Sequence, residues 1–201
     1  MQPTASPTLP SNEIDPVPSS AQRIVEAASE IYEQNPVLPV PLAAVAEAAG
    51  VSRSLIYTHF SQHTELINAM IAAQLELLEP KLVPPPDLPD TLRDFAFFYS
   101  RVMFNHYLEH GLILAQAPRD HFMTGHLLPR ANDIYLTILR QFACKARKEA
   151  NLSFRRSFAA FAAVGAMPEH AARLTKRGRL DEQVARVTLD RLLNVAIESL
   201  S

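Results

Sequence analysis

Two short apolar-faced helical runs joined at a single glycine constrain this chain more than any other feature. Within residues 42–60, LAAVAEAAGVSRSLIYTHF, the residues Leu42, Val45, Ala46 and Ala49 recur at helical spacing and predict one short helix. Pro41 suits its first turn, where a missing N–H costs nothing. Gly50 stands where that helix must stop, because glycine accepts a left-handed backbone. Ser52 then offers an N-cap to a second helix whose apolar side is Leu55, Ile56 and Phe60. Ala46 and Gly50, both small, are placed to let the two helices approach closely, with Val51 and Ile56 as the plug between them. A helix-turn-helix of this kind exposes its second helix for insertion into a major groove. Ser52, Arg53, Ser54 and Thr58 are the polar candidates on that face. Arginine grips guanine with two parallel hydrogen bonds, and hydroxyls reach bases or phosphates. Tyr57 and His59 are candidates for backbone contacts, which position a protein on a duplex without reading sequence. The same run also reads as a plain helical hairpin with Tyr57 half buried.

The segments around it resemble one family. RIVEAASEIY (residues 23–32), then LAAVAEAAGVSRSLIYTHF, then Glu65–Leu66 are similar to the DNA-binding domain of TetR-family transcriptional regulators. The pattern AxxAGVS, a tyrosine and then HF carries the specificity of the match. The resemblance implies a homodimer whose two recognition helices meet a palindromic double-stranded DNA operator. It also implies a C-terminal helical domain that binds a small-molecule effector and weakens DNA binding, as in a repressor. The chain departs from the family pattern in three places. Val40-Pro41 stands where a threonine cap is usual, and Asn35-Pro36 where glycine often follows the first helix. His63 replaces the lysine that usually meets phosphate at the start of the fourth helix. A histidine carries a full charge only near or below its ordinary pKa, although it hydrogen-bonds to phosphate when neutral.

Charge sharpens that last point. Residues 1–70 hold two basic residues, Arg23 and Arg53, against seven acidic ones, a net of -5; the remaining 17 basic and 14 acidic residues give +3. Phosphate contacts dominate affinity for DNA, so this balance predicts weak non-specific attraction. It also keeps open a second reading, a dimeric small-molecule-binding protein with weakened DNA binding.

Outside residues 42–60 the chain reads as all-α, an N-terminal three-helix helix-turn-helix domain followed by a C-terminal helical ligand-binding and dimerisation domain. Five prolines in residues 1–20 predict a disordered or extended tail. The helix-turn-helix domain is expected over 21–66, opening with Ile24, Ala27, Ala28 and Ile31 on one face, and the helical domain over 67–201. A fourth helix is expected from about Thr64, and PPPDLP at 84–89 breaks the pattern after it. Helical runs follow at about 91–110, 127–150, 153–173 and 181–200, with Pro168 a place for a kink or an end. No alternating strand-like run and no repeat is visible.

Apolar residues make up 48% and charged residues 20%, which suits a globular protein. The single cysteine, Cys144, excludes an intrachain disulfide and fits a reducing, cytoplasmic location. It reads as a core residue or a partly buried neighbour of basic side chains. There is no signal-peptide pattern and no apolar run of membrane-spanning length, so no membrane is expected. No nucleophile, base and orienting group fall at informative spacings and no glycine-rich phosphate loop is present, which argues against an enzyme. No cofactor is expected.

The effector cavity is sought where aromatics concentrate. Six lie within residues 95–107, more than one helix face needs. Phe98, Tyr99, Met103, Phe104 and Tyr107 are therefore candidate wall residues, with Tyr99 or Tyr107 as a polar handle, and Phe122 and Met123 candidates for another wall. A bulky core explains the same residues. His106 and His110 have a spacing that can hold metal, but no third ligand is at hand; they read as surface or cavity histidines, and no metal site is expected. Small residues at 159–165 with Phe154, Phe158 and Phe161, and the wide apolar arc of the final helix, predict a four-helix dimer interface, unless one chain buries both helices itself. Arg173, Lys176, Arg177 and Arg179 read as a solvated loop.

Overall fold

A computed structural model describes residues 18–200; most of the expected tail lies outside the described residues. Helix α1 (Ser20–Gln34) begins with a capping box: Gln22 N donates to Ser19 Oγ at 3.2 Å, and Ser19 N donates to Gln22 Oε1 at 2.7 Å. Helix α2 (Leu42–Ala49) follows Pro41 and ends at Gly50 in the left-handed region, φ 63°. A Cβ at Gly50 would meet no atom within 4 Å. The residue is small because the turn needs positive φ, not because helices press on it, which corrects the close-approach expectation. Helix α3 (Arg53–His59) is capped by Ser52 and helix α4 (His63–Leu78) runs on from it.

Helices α1 to α4 share one core. Ile24, Ala28, Val45, Ile56, Leu66, Ile67, Met70 and Ile71 are essentially excluded from water, each large side chain contributing on the order of 1.5–3 kcal/mol. Leu42 and Ile31 cover its edge.

The second core belongs to the C-terminal bundle. After the 3-10 turn Glu79–Leu82 and the proline segment come α5 (Leu92–His110) and the single turn α6 (Ile113–Gln116). Two further 3-10 turns, Ala117–Arg119 and His121–Met123, lead to α7 (Pro129–Ala150), α8 (Phe154–Lys176) and α9 (Glu182–Glu198). Helix α8 packs against α5, α7 and α9. It continues through Pro168 without ending there. Arg173 and Lys176 consequently lie in its last turn, where the carbonyl ends of the helix favour cations. They pair with Glu169 at 3.7 Å and Glu33 at 3.3 Å, so the basic run is not simply a solvated loop.

The segment 113–123 touches both cores. Ile113, Ala117 and Met123 pack into the first, while Ala115 is buried in the second. Tyr32 of α1 donates a hydrogen bond to Gln116 Oε1 at 2.6 Å across this junction. Burial, then the charges of Asp120 and Glu169, push the tyrosine pKa up to about 12.

Candidate functional site

The short helix α3 turns one side to the core and the other outward. Ile56 is buried; Arg53, Ser54, Tyr57, Thr58 and His59 are exposed. Tyr57, 52% exposed, is absent from the core that Ile56 fills. Leu55 N donates to Ser52 Oγ at 3.1 Å, so Ser52 caps the helix and keeps its own proton for an outside acceptor. Thr58 Oγ1 donates to Ser54 O at 3.0 Å, which leaves the threonine lone pairs facing out. His59 Nε2 lies 2.8 Å from Ser20 Oγ, linking the end of α3 to the start of α1. His63 opens α4 half-buried, edge-on to Phe122 with ring centroids 6.4 Å apart.

The acidic residues near this face are partly engaged. Ser61 N and Ser61 Oγ donate to the two oxygens of Glu65 at 2.7 and 2.9 Å. The Ser61 side-chain bond, then its backbone bond, hold the Glu65 carboxyl below the usual range. Glu33 pairs with Lys176 at the far end of α1.

The bundle holds a cavity of about 420 Å³, open to solvent on one side beside Tyr135, Ala162 and Gly165, within the range of small-molecule sites. Helix α5 lines it with one stripe, Phe95, Ala96, Tyr99, Ser100, Met103 and Tyr107. Tyr135, Ile138 and Phe142 of α7 and Phe161, Val164, Pro168 and Glu169 of α8 form the other walls. Leu114, Ala115, Pro118 and Arg119 close the side next to the first core. Inside this apolar chamber Glu169 is the buried charged wall residue, its side chain 6% exposed; Arg119, which binds it, is 62% exposed. Arg173 stands 3.7 Å from the other carboxylate oxygen. Burial, and secondarily the Glu169 charge, raise the Tyr107 pKa, keeping that phenol neutral. Tyr99 Oη donates to Leu82 O at 3.2 Å.

Of the sequence candidates, Tyr99, Met103 and Tyr107 line the cavity. The other four do not. Phe104 is 1% exposed in the core, with the Arg186 guanidinium 5.1 Å from its ring centroid, because it sits off the stripe that carries Met103 and Tyr107. Phe98, one position before Tyr99, points around the helix and meets Tyr99 edge-on at 5.1 Å. Met123 is buried in the first core, and Phe122 lies against His63. Ser100, Arg119, Tyr135, Phe142, Phe161 and Glu169 were not among the candidates. Ser100 was within reach, since it shares the stripe of Ala96, Met103 and Tyr107. Glu169 carried a fainter signal, a lone acid in the apolar stretch AAVGAMPEHAA.

Two further side chains differ from expectation. His106 is not a surface or cavity histidine but is fully buried, both ring nitrogens without a hydrogen-bond partner and its ring 4.9 Å from that of His110. Burial, with smaller contributions from His110 and Lys81, lowers its pKa to about 4. Cys144 is exposed beside Lys145 and Lys148 rather than buried. Among the described residues no three His, Cys, Asp or Glu side chains gather to hold a metal, and no helix is long and apolar enough to cross a membrane.

These features define an all-α helix-turn-helix protein with a cavity-bearing C-terminal bundle. Residues 24–70 match the family described as "Bacterial regulatory proteins, tetR family". The HTH-type transcriptional regulator SrpR of Pseudomonas putida is 35% identical over 63 residues, 31% of this chain and 30% of SrpR. The match thus spans less than half the length of the curated relatives. In fold the likeness is far longer. A TetR-like transcriptional regulator from Rhodococcus sp. RHA1 superposes with a TM-score of 0.67 at 17% identity, covering 90% of this chain and 98% of that one. A TetR variant from Acinetobacter baumannii AYE in complex with minocycline gives 0.58 at 15% identity, covering 89% and 96%. By sequence the likeness to that family is confined to the N-terminal helices, residues 24–70, and by fold it extends over 90% of the chain.

Proposed function

We propose that this protein is a ligand-responsive, DNA-binding transcriptional regulator, a repressor that leaves a palindromic operator when a small effector enters the bundle cavity. The outward face of α3 carries the reading: a seven-residue helix capped at Ser52, with Arg53, Ser54, Tyr57 and Thr58 exposed on it. Arg53 reads a base edge, Tyr57 and His59 fix the protein on the backbone, and His63 at the start of α4 approaches phosphate. The curated relative's name as a helix-turn-helix regulator supports this assignment. The cavity supports the effector half, as does the minocycline in complex with the Acinetobacter protein.

Palindromic recognition requires two copies. Helix α9 buries Leu189, Leu193 and Ile197 in its own bundle yet leaves Val184, Leu192 and Val195 exposed. Helix α8 leaves Phe154 and Phe158 exposed along with Ala159, Ala162 and Ala163. An apolar face of this kind on two adjacent helices suits a four-helix interface with a second copy.

Sequence selection from a random duplex library at two salt concentrations tests the reading. Enrichment of one palindromic site is expected. Failure to enrich any site at low salt would overturn operator binding. It would favour a dimeric small-molecule-binding protein, the reading motivated by the net -5 of residues 1–70.

A further inference from the structure

We propose that the cavity selects an effector with an aromatic or apolar body and one protonated amine, and that the amine takes the place of Arg119 on Glu169. The inference rests on the cavity being the effector site and adds the chemistry of what fills it.

Of the two charges at this end of the cavity, only one is fixed there. A ligand charge carried into a low-dielectric chamber needs a partner already buried there. Glu169 is that partner: it lines the cavity and its side chain is only 6% exposed, held on the inner face of α8. Arg119 lines the same end from the 3-10 turn Ala117–Arg119, but most of its side chain is in water. An exposed guanidinium turns back into solvent at little cost. The pair is therefore asymmetric, a fixed anion with a removable cation. An incoming ammonium exchanges for Arg119 and conserves the charge balance at Glu169. An incoming carboxylate would gain only the exposed partner and would lie beside the fixed anion.

The walls agree with this polarity. Tyr107 stays neutral, so its hydroxyl accepts an N–H from the amine. Phe95, Tyr99, Phe142 and Phe161 supply ring faces for the body, and ring faces attract cations rather than anions. Arg173, 3.7 Å from the second oxygen of Glu169, steadies the carboxylate from outside the cavity wall.

The test is calorimetric titration of the full-length protein at neutral pH with three probes of one body: phenylbutylamine, phenylbutanol and phenylbutyrate. The amine is expected to bind at least about tenfold more tightly than either of the others, the ratio of one ion-pair-scale interaction. Glu169→Gln should erase that preference while leaving the alcohol's affinity within about twofold, and Arg119→Gln should tighten the amine by removing its competitor. A folded Glu169→Gln protein that keeps the preference overturns the proposal. So does a wild-type preference for the butyrate, or equal binding of all three, and these two results leave the cavity standing as a ligand site. Binding of none of the three removes the cavity reading and this proposal together. Should Glu169→Gln not fold, the Arg119→Gln result alone decides: unchanged or weaker amine binding overturns the exchange. Release of selected DNA, measured separately, reports on the regulator reading independently of which head group wins.

Discussion

Arg53 and Tyr57 leave the same exposed helix face with different proposed tasks, and their substitutions should separate. Arg53→Ala is expected to cost on the order of 1–3 kcal/mol at one base position and to relax selectivity there. Tyr57→Ala should weaken every sequence alike, since a backbone contact carries no base information. Quantitative binding to the selected site and to single-base variants distinguishes the two; parallel losses at every base pair for both proteins would refute the division. His106 offers a second residue-scale prediction. Its folded pKa, about 4, lies below the ordinary 6.5 because burial disfavours the charged ring. Folding thus favours the neutral form: stability is intact above about pH 6.5 and falls as pH drops toward 4. His106→Leu removes two unpartnered buried nitrogens as well. Chemical denaturation of this variant should show no loss at neutral pH and a shallower decline between those pH values; an unchanged acid profile would exclude His106 as its source.

At the scale of elements, the turn between α2 and α3 rests on backbone geometry. Gly50→Ala would meet no neighbour but must adopt φ 63°, at a cost of roughly 1 kcal/mol. A drop in thermal midpoint of a few degrees checks this. The outer face of α9 is the other elemental test. Leu192→Glu or Val195→Glu places charge where the proposed partner helix packs, without entering the buried row Leu189, Leu193, Ile197. Sedimentation should show a shift from dimer to monomer with helicity retained, and a dimer unaffected by both changes would move the interface elsewhere. The helices themselves were legible from residue types. Ser19, Ser52, Thr91, Ser153 and Asp181 each accept a first-turn N–H, and the apolar spacings between these caps mark the buried faces. Pro168 was ambiguous because proline removes one hydrogen bond and packing decides whether the helix survives that loss. Here its ring is buried on the cavity side of α8, and the helix runs two further turns.

Across the whole molecule, charge and connection matter more than any single contact. With Arg53 assigned to a base edge, Arg23 is the one other Lys or Arg of residues 1–70, so the proposed dimer would neutralise about two phosphates and log affinity should fall with log salt at a slope near -2. A slope near -8 would mean that cations of the bundle also reach the duplex. The sequence by itself determined the helix-turn-helix, its exposed polar face, the all-α class and the acid-rich head, because these follow from local spacing, capping chemistry and composition. Two of the six aromatics in the cavity wall, Tyr99 and Tyr107 on α5, were also legible. Tertiary structure alone decided the rest. Phe104 and Met123 look identical to wall residues in sequence but fill two different cores, while Tyr135, Phe161, Arg119 and Glu169 meet from helices and turns far apart in the chain. Periodicity records which face of a helix is apolar, but not whether that face meets a neighbour or a void. That depends on how α5, α7 and α8 cross, and no local pattern encodes the crossing.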